Sequence, residues 1–142
     1  MKLPQIVVDT NVFISALRSQ DGASYRLFML LESGKFEINL SVPLAIEYEA
    51  VSKRMARKLG LTLADIDDIL NYVVSVANRR QIHYLWRPFL KDPQDDMVLE
   101  LAVAAGCETI VTYNQHDFVG VAQFNIRVMT AQEFLEQIGA LS

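Results

Sequence analysis

The sequence predicts an α/β fold, with a mostly parallel sheet covered by helices on both faces. Two observations predict it. Short apolar runs at residues 6–8, 36–40, 109–112 and 126–129 alternate with longer segments of helical periodicity. The first of these runs ends in a polar turn, Asp9-Thr10-Asn11, that opens a helix. The carboxyl ends of strands are where open α/β sheets hold their ligands. With 142 residues, half of them hydrophobic, the chain is expected to be a single domain, 1–142, with one core.

Taken in order, Ile6-Val7-Val8 reads as a strand, and Val12 to Leu17 continues with helical patterning. Residues 24–33 read as a helix, with Leu27, Leu30 and Leu31 at helical spacing. Residues 36–40 alternate as a strand does. A helix over 42–59 follows, with Ser41 as candidate N-cap and Pro43 in the first turn. Thr62-Leu63-Ala64-Asp65 opens a second long helix, expected to run to about Asn78. Two successive helices break the alternation, so about 61–78 is a possible helical arm. Residues 81–86 are a candidate strand. Asp92-Pro93 reads as cap and first turn of a helix that runs to Ala105 and stops at Gly106. Residues 109–112 and 126–129 read as buried strands, and Thr130-Ala131-Gln132-Glu133 has the capping-box pattern of a last helix. There is no internal repeat and no low-complexity tract.

Cys107 is the single cysteine, so no intrachain disulfide can form and a cytoplasmic, reducing home is expected. The first apolar stretch is too short for a signal-peptide core or a membrane span, so no membrane association is expected. The net charge is −4. That total does not exclude nucleic acid, because the local patch decides. Lys53, Arg54, Arg57 and Lys58 make one basic patch, and Arg79-Arg80 a smaller one.

The acids carry the chemistry. Asp9 closes the first strand, although an Asx turn capping a helix would use the same residues. Glu47 lies three residues after Leu44 and four before Val51, so it borders the stripe Leu44, Tyr48, Val51, Met55. A carboxylate at a core edge is costly unless something pairs with it. Asp95 falls on the side of the stripe Val98, Leu101, Ala102, Ala105, whereas Asp96 is rotated a further ~100° toward the outside. Asn114 and Asp117 follow the strand at 109–112, as Asp9 follows the first strand. His116 reads as a solvated loop residue, His83 as part of a strand surface, and Cys107 and Trp86 as core filler.

The motifs Val-Val-Asp-Thr-Asn-Val-Phe-Ile-Ser-Ala-Leu, Leu-Ala-Ile-Glu-Tyr, Asp-Pro-Gln-Asp-Asp-Met-Val-Leu-Glu-Leu-Ala and Val-Thr-Tyr-Asn-Gln-His-Asp-Phe, in that order, resemble those of a PIN domain. The likeness spans nearly the whole chain and points most to the VapC-like toxins of prokaryotic toxin–antitoxin pairs. It implies a three-layer α/β/α sandwich and a ribonuclease that needs Mg²⁺ or Mn²⁺. Carried over by residue, Asp9 is the first acid, Glu47 the second and Asp95 the third, with Asp96 competing for that place. The fourth acid falls at Asn114, an amide here, and Asp117 matches an acid that commonly follows. Asn11 and Thr112 match polar residues that orient the first Asp. The resemblance also implies an RNA substrate, a homodimer and an antitoxin partner.

The chemistry is coherent with this reading. Hard divalent cations take oxygen ligands, and magnesium binds one or two carboxylates plus phosphate and water. Asp9 and Asp95 would hold the principal ion, with Glu47 and Asp117 acting through waters or at a second ion. Lys53, Arg54 and Arg57 are candidates for RNA-backbone contact. No His, Cys or Ser nucleophile is required. Three alternatives compete. One is a degenerate PIN module that binds RNA or protein without cutting. A second is a haloacid dehalogenase-type phosphatase, which needs a second Asp where Asn11 stands. In the third, all the acids are caps and turns. The helix over 61–78 carries Ile66, Ile69, Leu70 and Val73, with Val74 and Val76 nearby. It is expected, with part of 42–59, to give a dimer face or an antitoxin groove.

Overall fold

Strand β1 (Gln5–Val8) lies at the centre of one parallel sheet. On one side are β2 (Glu37–Leu40) and then β3 (Asn78–Arg79), and on the other β4 (Thr109–Val111) and then β5 (Arg127–Met129). The computed structural model describes residues 2–81 and 89–140. Ile6 pairs with Ile38 on one side and Thr109 on the other, and Val8 is level with Val111. Ile6, Val7 and Val8 are all fully buried. Successive strand residues point to opposite faces, so both faces of the sheet are covered, as the apolar runs predict.

The helices are α1 (Thr10–Arg18), α2 (Ala23–Met29), α3 (Val42–Arg54), α4 (Ala56–Leu59), α5 (Leu63–Val76), α6 (Pro93–Ala104) and α7 (Ala131–Gln137). Their starts follow the local chemistry. The Ser41 hydroxyl accepts the Leu44 N–H at 3.3 Å. Thr62 with Asp65, and Thr130 with Glu133, form reciprocal capping boxes. Helix α6 ends as expected: Gly106 adopts φ +67°, a left-handed conformation that a side chain disfavours, and the following N–H of Cys107 returns to Ala102 O at 2.8 Å.

Four expectations need correction. The helix expected over 24–33 is shorter, ending at Met29. The helix expected over 42–59 breaks at Met55 (φ −97°, ψ 6°) into α3 and α4. The strand expected to alternate over 36–40 is instead buried at three successive positions, Ile38, Asn39 and Leu40, because helices lie on both faces. Asn39 tolerates this because its amide donates to Gln5 Oε1 at 2.9 Å and its carbonyl accepts from Arg80 Nε at 2.9 Å. Finally, the third strand comes earlier than 81–86. It pairs Asn78 and Arg79 with Asn39 and Leu40. Most of the expected strand, with His83 and Trp86, lies outside the described residues.

The segment read as a possible arm packs back onto its own domain. Ile66, Leu70 and Val73 of α5 are buried, and α5 lies against α3. Most of the apolar surface that suggested a partner is therefore consumed within the chain. Phe13 of α1 stacks on Tyr48 of α3, with centroids 4.6 Å apart, and meets Phe28 of α2 edge-on at 5.6 Å. The Tyr48 hydroxyl donates to the carbonyl of Val8, so α3 is tied to the last residue of β1, one position before Asp9. Among the described residues, no helix is long and apolar enough to cross a membrane.

Candidate functional site

From β1 the chain turns one way to β2 and β3, and β4 and β5 fill the other side. The carboxyl ends of β1 and β4 therefore flank the topological switch point, where adjacent loops diverge and leave a crevice. Asp9 directly follows β1 and Thr112 directly follows β4. The Asp9 N–H donates to Val111 O at 2.8 Å, which brings the two loop starts together.

Asp9 does two jobs. Its Oδ1 accepts the Thr10 N–H at 2.8 Å and caps α1. Its Oδ2 accepts the Thr112 hydroxyl at 2.7 Å and, more weakly, Asn11 Nδ2 at 3.3 Å. Asn11 in turn donates to Thr112 Oγ1 at 3.1 Å and accepts the Tyr113 N–H at 3.1 Å. Asn11 and Thr112 thus orient Asp9, which caps α1 with one oxygen and keeps the other on these side chains. Burial, with Asp9 only 8 % exposed, pushes its pKa up. The Thr112 and Thr10 hydrogen bonds oppose that, and the charges of Asp117 and Asp92 add to it.

Glu47 is half-buried on α3, as its place beside the apolar stripe implies. It accepts the Thr10 hydroxyl at 3.0 Å. Its pKa is raised, first by burial and then, against the Thr10 bond, by Asp9 and Asp92. Asp95, in the first turn of α6, is raised to about 7. Desolvation is the main cause, and Asp9, Asp117, Asp92 and Glu47 all contribute repulsion. Five carboxylates from four parts of the chain therefore feel one another. A cleft of about 440 Å³ opens beside them, lined by Asp92, Asp95 and Asp117 together with Phe89, Lys91 and His116. Asp117 sits in a short 3₁₀ helix, Gln115–Phe118, with the His116 ring 3.3 Å away.

Two members were missed in the sequence. Asp92 does cap α6, accepting the Gln94 N–H at 2.9 Å, but its charge also acts on Asp9, Glu47 and Asp95. Its cap role hid the second one. Thr10 reads as a turn residue in the sequence, and only the fold brings its hydroxyl to Glu47.

Asp96 needs correction. It is not turned to solvent but is 8 % exposed, more buried than Asp95. Its Oδ1 accepts the backbone N–H groups of Phe89 and Leu90 at 3.2 and 2.8 Å. Helical periodicity places Asp96 away from the sheet, and the chain entering α6 folds over that side. Asp96 therefore holds this entry loop. Asn114 is exposed; its N–H donates to Thr112 Oγ1 at 3.1 Å and its carbonyl accepts the Asp117 N–H at 3.0 Å. Lys53 is engaged elsewhere, bonded to Glu49 at 2.9 Å and Asp67 at 2.7 Å. Arg54 and Arg57 are exposed, and Arg54 lies seven residues beyond Glu47, about 10 Å along the helix.

The donor set is all oxygen, which suits a hard cation. Among the described residues, no three His, Cys, Asp or Glu side chains gather closely enough to enclose an ion by themselves. That excludes a closed protein cage but fits magnesium, which keeps several waters and takes only one or two carboxylates.

A family model described as PIN domain matches residues 5–116. Among solved structures, a chain of the crystal structure of VapBC2 from Rickettsia felis bound to a DNA fragment from their promoter is similar in fold. The TM-score is 0.64 at 14% identity, over 89% of this chain and 98% of that one. No curated protein sequence matches.

Proposed function

The chain belongs to the PIN domain family, and from that premise we propose that it is a Mg²⁺- or Mn²⁺-dependent ribonuclease, the toxin of a cytoplasmic toxin–antitoxin pair. PIN domains are generally nucleases. The observation that carries the reading is the gathering of Asp9, Glu47, Asp92, Asp95 and Asp117 at the switch point, where burial first and the repulsion of the other acids second raise Asp95 to about 7. Such a cluster is unfavourable for the fold alone and suited to a cation.

Asp9 and Asp95 would hold the ion, Glu47 and Asp117 would reach it through waters, and the Asn114 amide can offer a neutral oxygen. When bound, a divalent ion supplies an activated water and neutralises charge on the phosphate. The protein's part is orientation. Thr112 and Asn11 hold Asp9 by side-chain hydrogen bonds, and Thr10 holds Glu47, so the two acids keep their positions as substrate enters. With Lys53 paired to acids, Arg54 and Arg57 remain for the RNA backbone.

The partner surfaces follow from what the fold leaves open. An apolar groove between α1, α2 and α5, lined by Phe13, Leu17, Phe28, Met29, Ile69 and Tyr72, would take an apolar antitoxin segment. On α3, Val42 and Ile46 are 69% and 58% exposed beside α5, and this face would form the homodimer. Light scattering should then show a dimer for the wild type and a monomer for Ile46→Glu; a wild-type monomer at tens of micromolar removes this assignment.

The phosphatase alternative falls with the family. A PIN module that binds without cutting is the second reading, favoured by the amide at Asn114. One experiment separates them: incubation of a mixed RNA pool with the protein and Mn²⁺, or with chelator. Cleavage that needs Mn²⁺ supports the enzyme, and an intact pool under both conditions supports the binding module.

A further inference from the structure

We propose that Phe89 is a stacking platform for an unpaired base of the RNA next to the cleaved phosphate. The inference rests on the ribonuclease reading and assigns a role to a residue that the metal chemistry does not use. Phe89 is 40% exposed, and it lines the same cleft as Asp92, Asp95 and Asp117. Phe89 thus offers part of its apolar surface to the cleft that the carboxylates line.

The residue is held at its backbone and at two places on its ring. Asp96, itself buried, accepts the N–H groups of Phe89 and Leu90 and fixes the backbone. Phe124 meets the ring edge-on, with centroids 5.3 Å apart at 79°. The tip of the ring lies against Gly120, where an added Cβ would come within 3.1 Å of Phe89 Cζ. Gly120 also has φ +93°, a left-handed conformation that favours glycine at the turn beside the ring. An aromatic side chain held this way has little entropy left to lose on binding, which favours a stacked ligand.

The remaining wall of the cleft supplies the matching chemistry. Lys91 lines it together with the acids, so its ammonium can meet a backbone phosphate while the base lies on the ring. Every base has a π-face, and proteins hold single-stranded segments by stacking bases on aromatic side chains. A paired base is covered by its neighbours and cannot do this. The cleft therefore selects RNA that is unpaired at this position.

The test is cleavage kinetics in Mn²⁺ with a short single-stranded RNA, using wild type, Phe89→Leu and Phe89→Tyr. A second substrate carries an abasic site beside the cleaved linkage. Phe89→Leu should raise KM at least about fivefold, the low end of base–aromatic stacking, with kcat little changed. Phe89→Tyr should keep the wild-type KM. The abasic substrate should show the raised KM with wild type and no further loss with Phe89→Leu. Equal KM for wild type and a folded Phe89→Leu would overturn the proposal while leaving the ribonuclease intact. If the wild type cuts no RNA, the ribonuclease reading fails. Fluorescence anisotropy with a labelled oligouridylate then decides the platform: weaker binding by Phe89→Leu supports it, and equal binding overturns it.

Discussion

Asp9→Asn should lose Mn²⁺-dependent RNA cleavage by about a thousandfold or more while the melting temperature stays level or rises. The loss is on the scale seen when a group that stabilises charge at the reacting atoms is removed. The stability follows from the two jobs of the side chain. Asn is as good an N-cap as Asp, so its Oδ1 can keep the Thr10 N–H bond at the start of α1. The charge, by contrast, is held in place against burial and against Asp117 and Asp92. Removing it relieves that cost, which offsets the Thr112 and Asn11 hydrogen bonds that an amide nitrogen in place of Oδ2 no longer accepts. Asp9→Ala should separate the two jobs: equally inactive, and less stable by about 1 kcal/mol through loss of the cap. Gel-based cleavage rates and thermal melts of the three proteins check this. An Asp9→Asn protein that keeps wild-type rates, or that unfolds, would assign Asp9 to the fold alone.

Neighbouring carboxylates on α6 should respond with opposite signs. The pKa of Asp95 in the folded protein, about 7, lies above the ordinary aspartate value of 3.8. A carboxyl raised in this way binds its proton more tightly folded than unfolded. The fold is therefore unpenalised below pH 4, loses stability as pH rises from 4 to 7, and carries the full penalty above 7. Asp95→Asn should then stabilise the protein at pH 8, by about 1 kcal/mol once solvent screening is allowed for, and have no effect at pH 4. Asp96→Ala should destabilise at both pH values. It strips the acceptor from the Phe89 and Leu90 N–H groups, a loss of about 1–3 kcal/mol. Melting temperatures at pH 4 and pH 8 give the comparison. A fall for both variants at pH 8 would mean that Asp95, like Asp96, serves the fold.

How much of this was legible in the sequence depended on the range of the interactions. Asp9 could be read because strand, turn and helix are contiguous there. Glu47 could be read because the helical period reports which side of α3 meets the core. Asp96 could not, since that period says nothing of a loop folding over the helix's outer side from Phe89 and Leu90. The Lys53 patch looked free because its partner Asp67 belongs to α5, fourteen residues on. The break at Met55 has no glycine or proline to announce it. The third strand came early because two residues pair with β2 without any apolar run. The role of Asp92 in the acidic cluster was masked by a cap it also makes. Only the sheet order shows that Asp9 and Thr112 flank a switch point.

The function proposed for these carboxylates is to serve a cation-activated water in RNA hydrolysis. The most direct test is the chemistry of the new RNA ends. Purified protein is incubated with a defined single-stranded RNA in Mn²⁺ or in chelator, and the products are resolved by mass. Attack by water leaves no 2′,3′-cyclic phosphate, whereas attack by the neighbouring 2′-hydroxyl does. Fragments are expected only with Mn²⁺, all with linear phosphate or hydroxyl ends. Fragments that persist in chelator and end in cyclic phosphate, or no fragments at all in Mn²⁺, would contradict it.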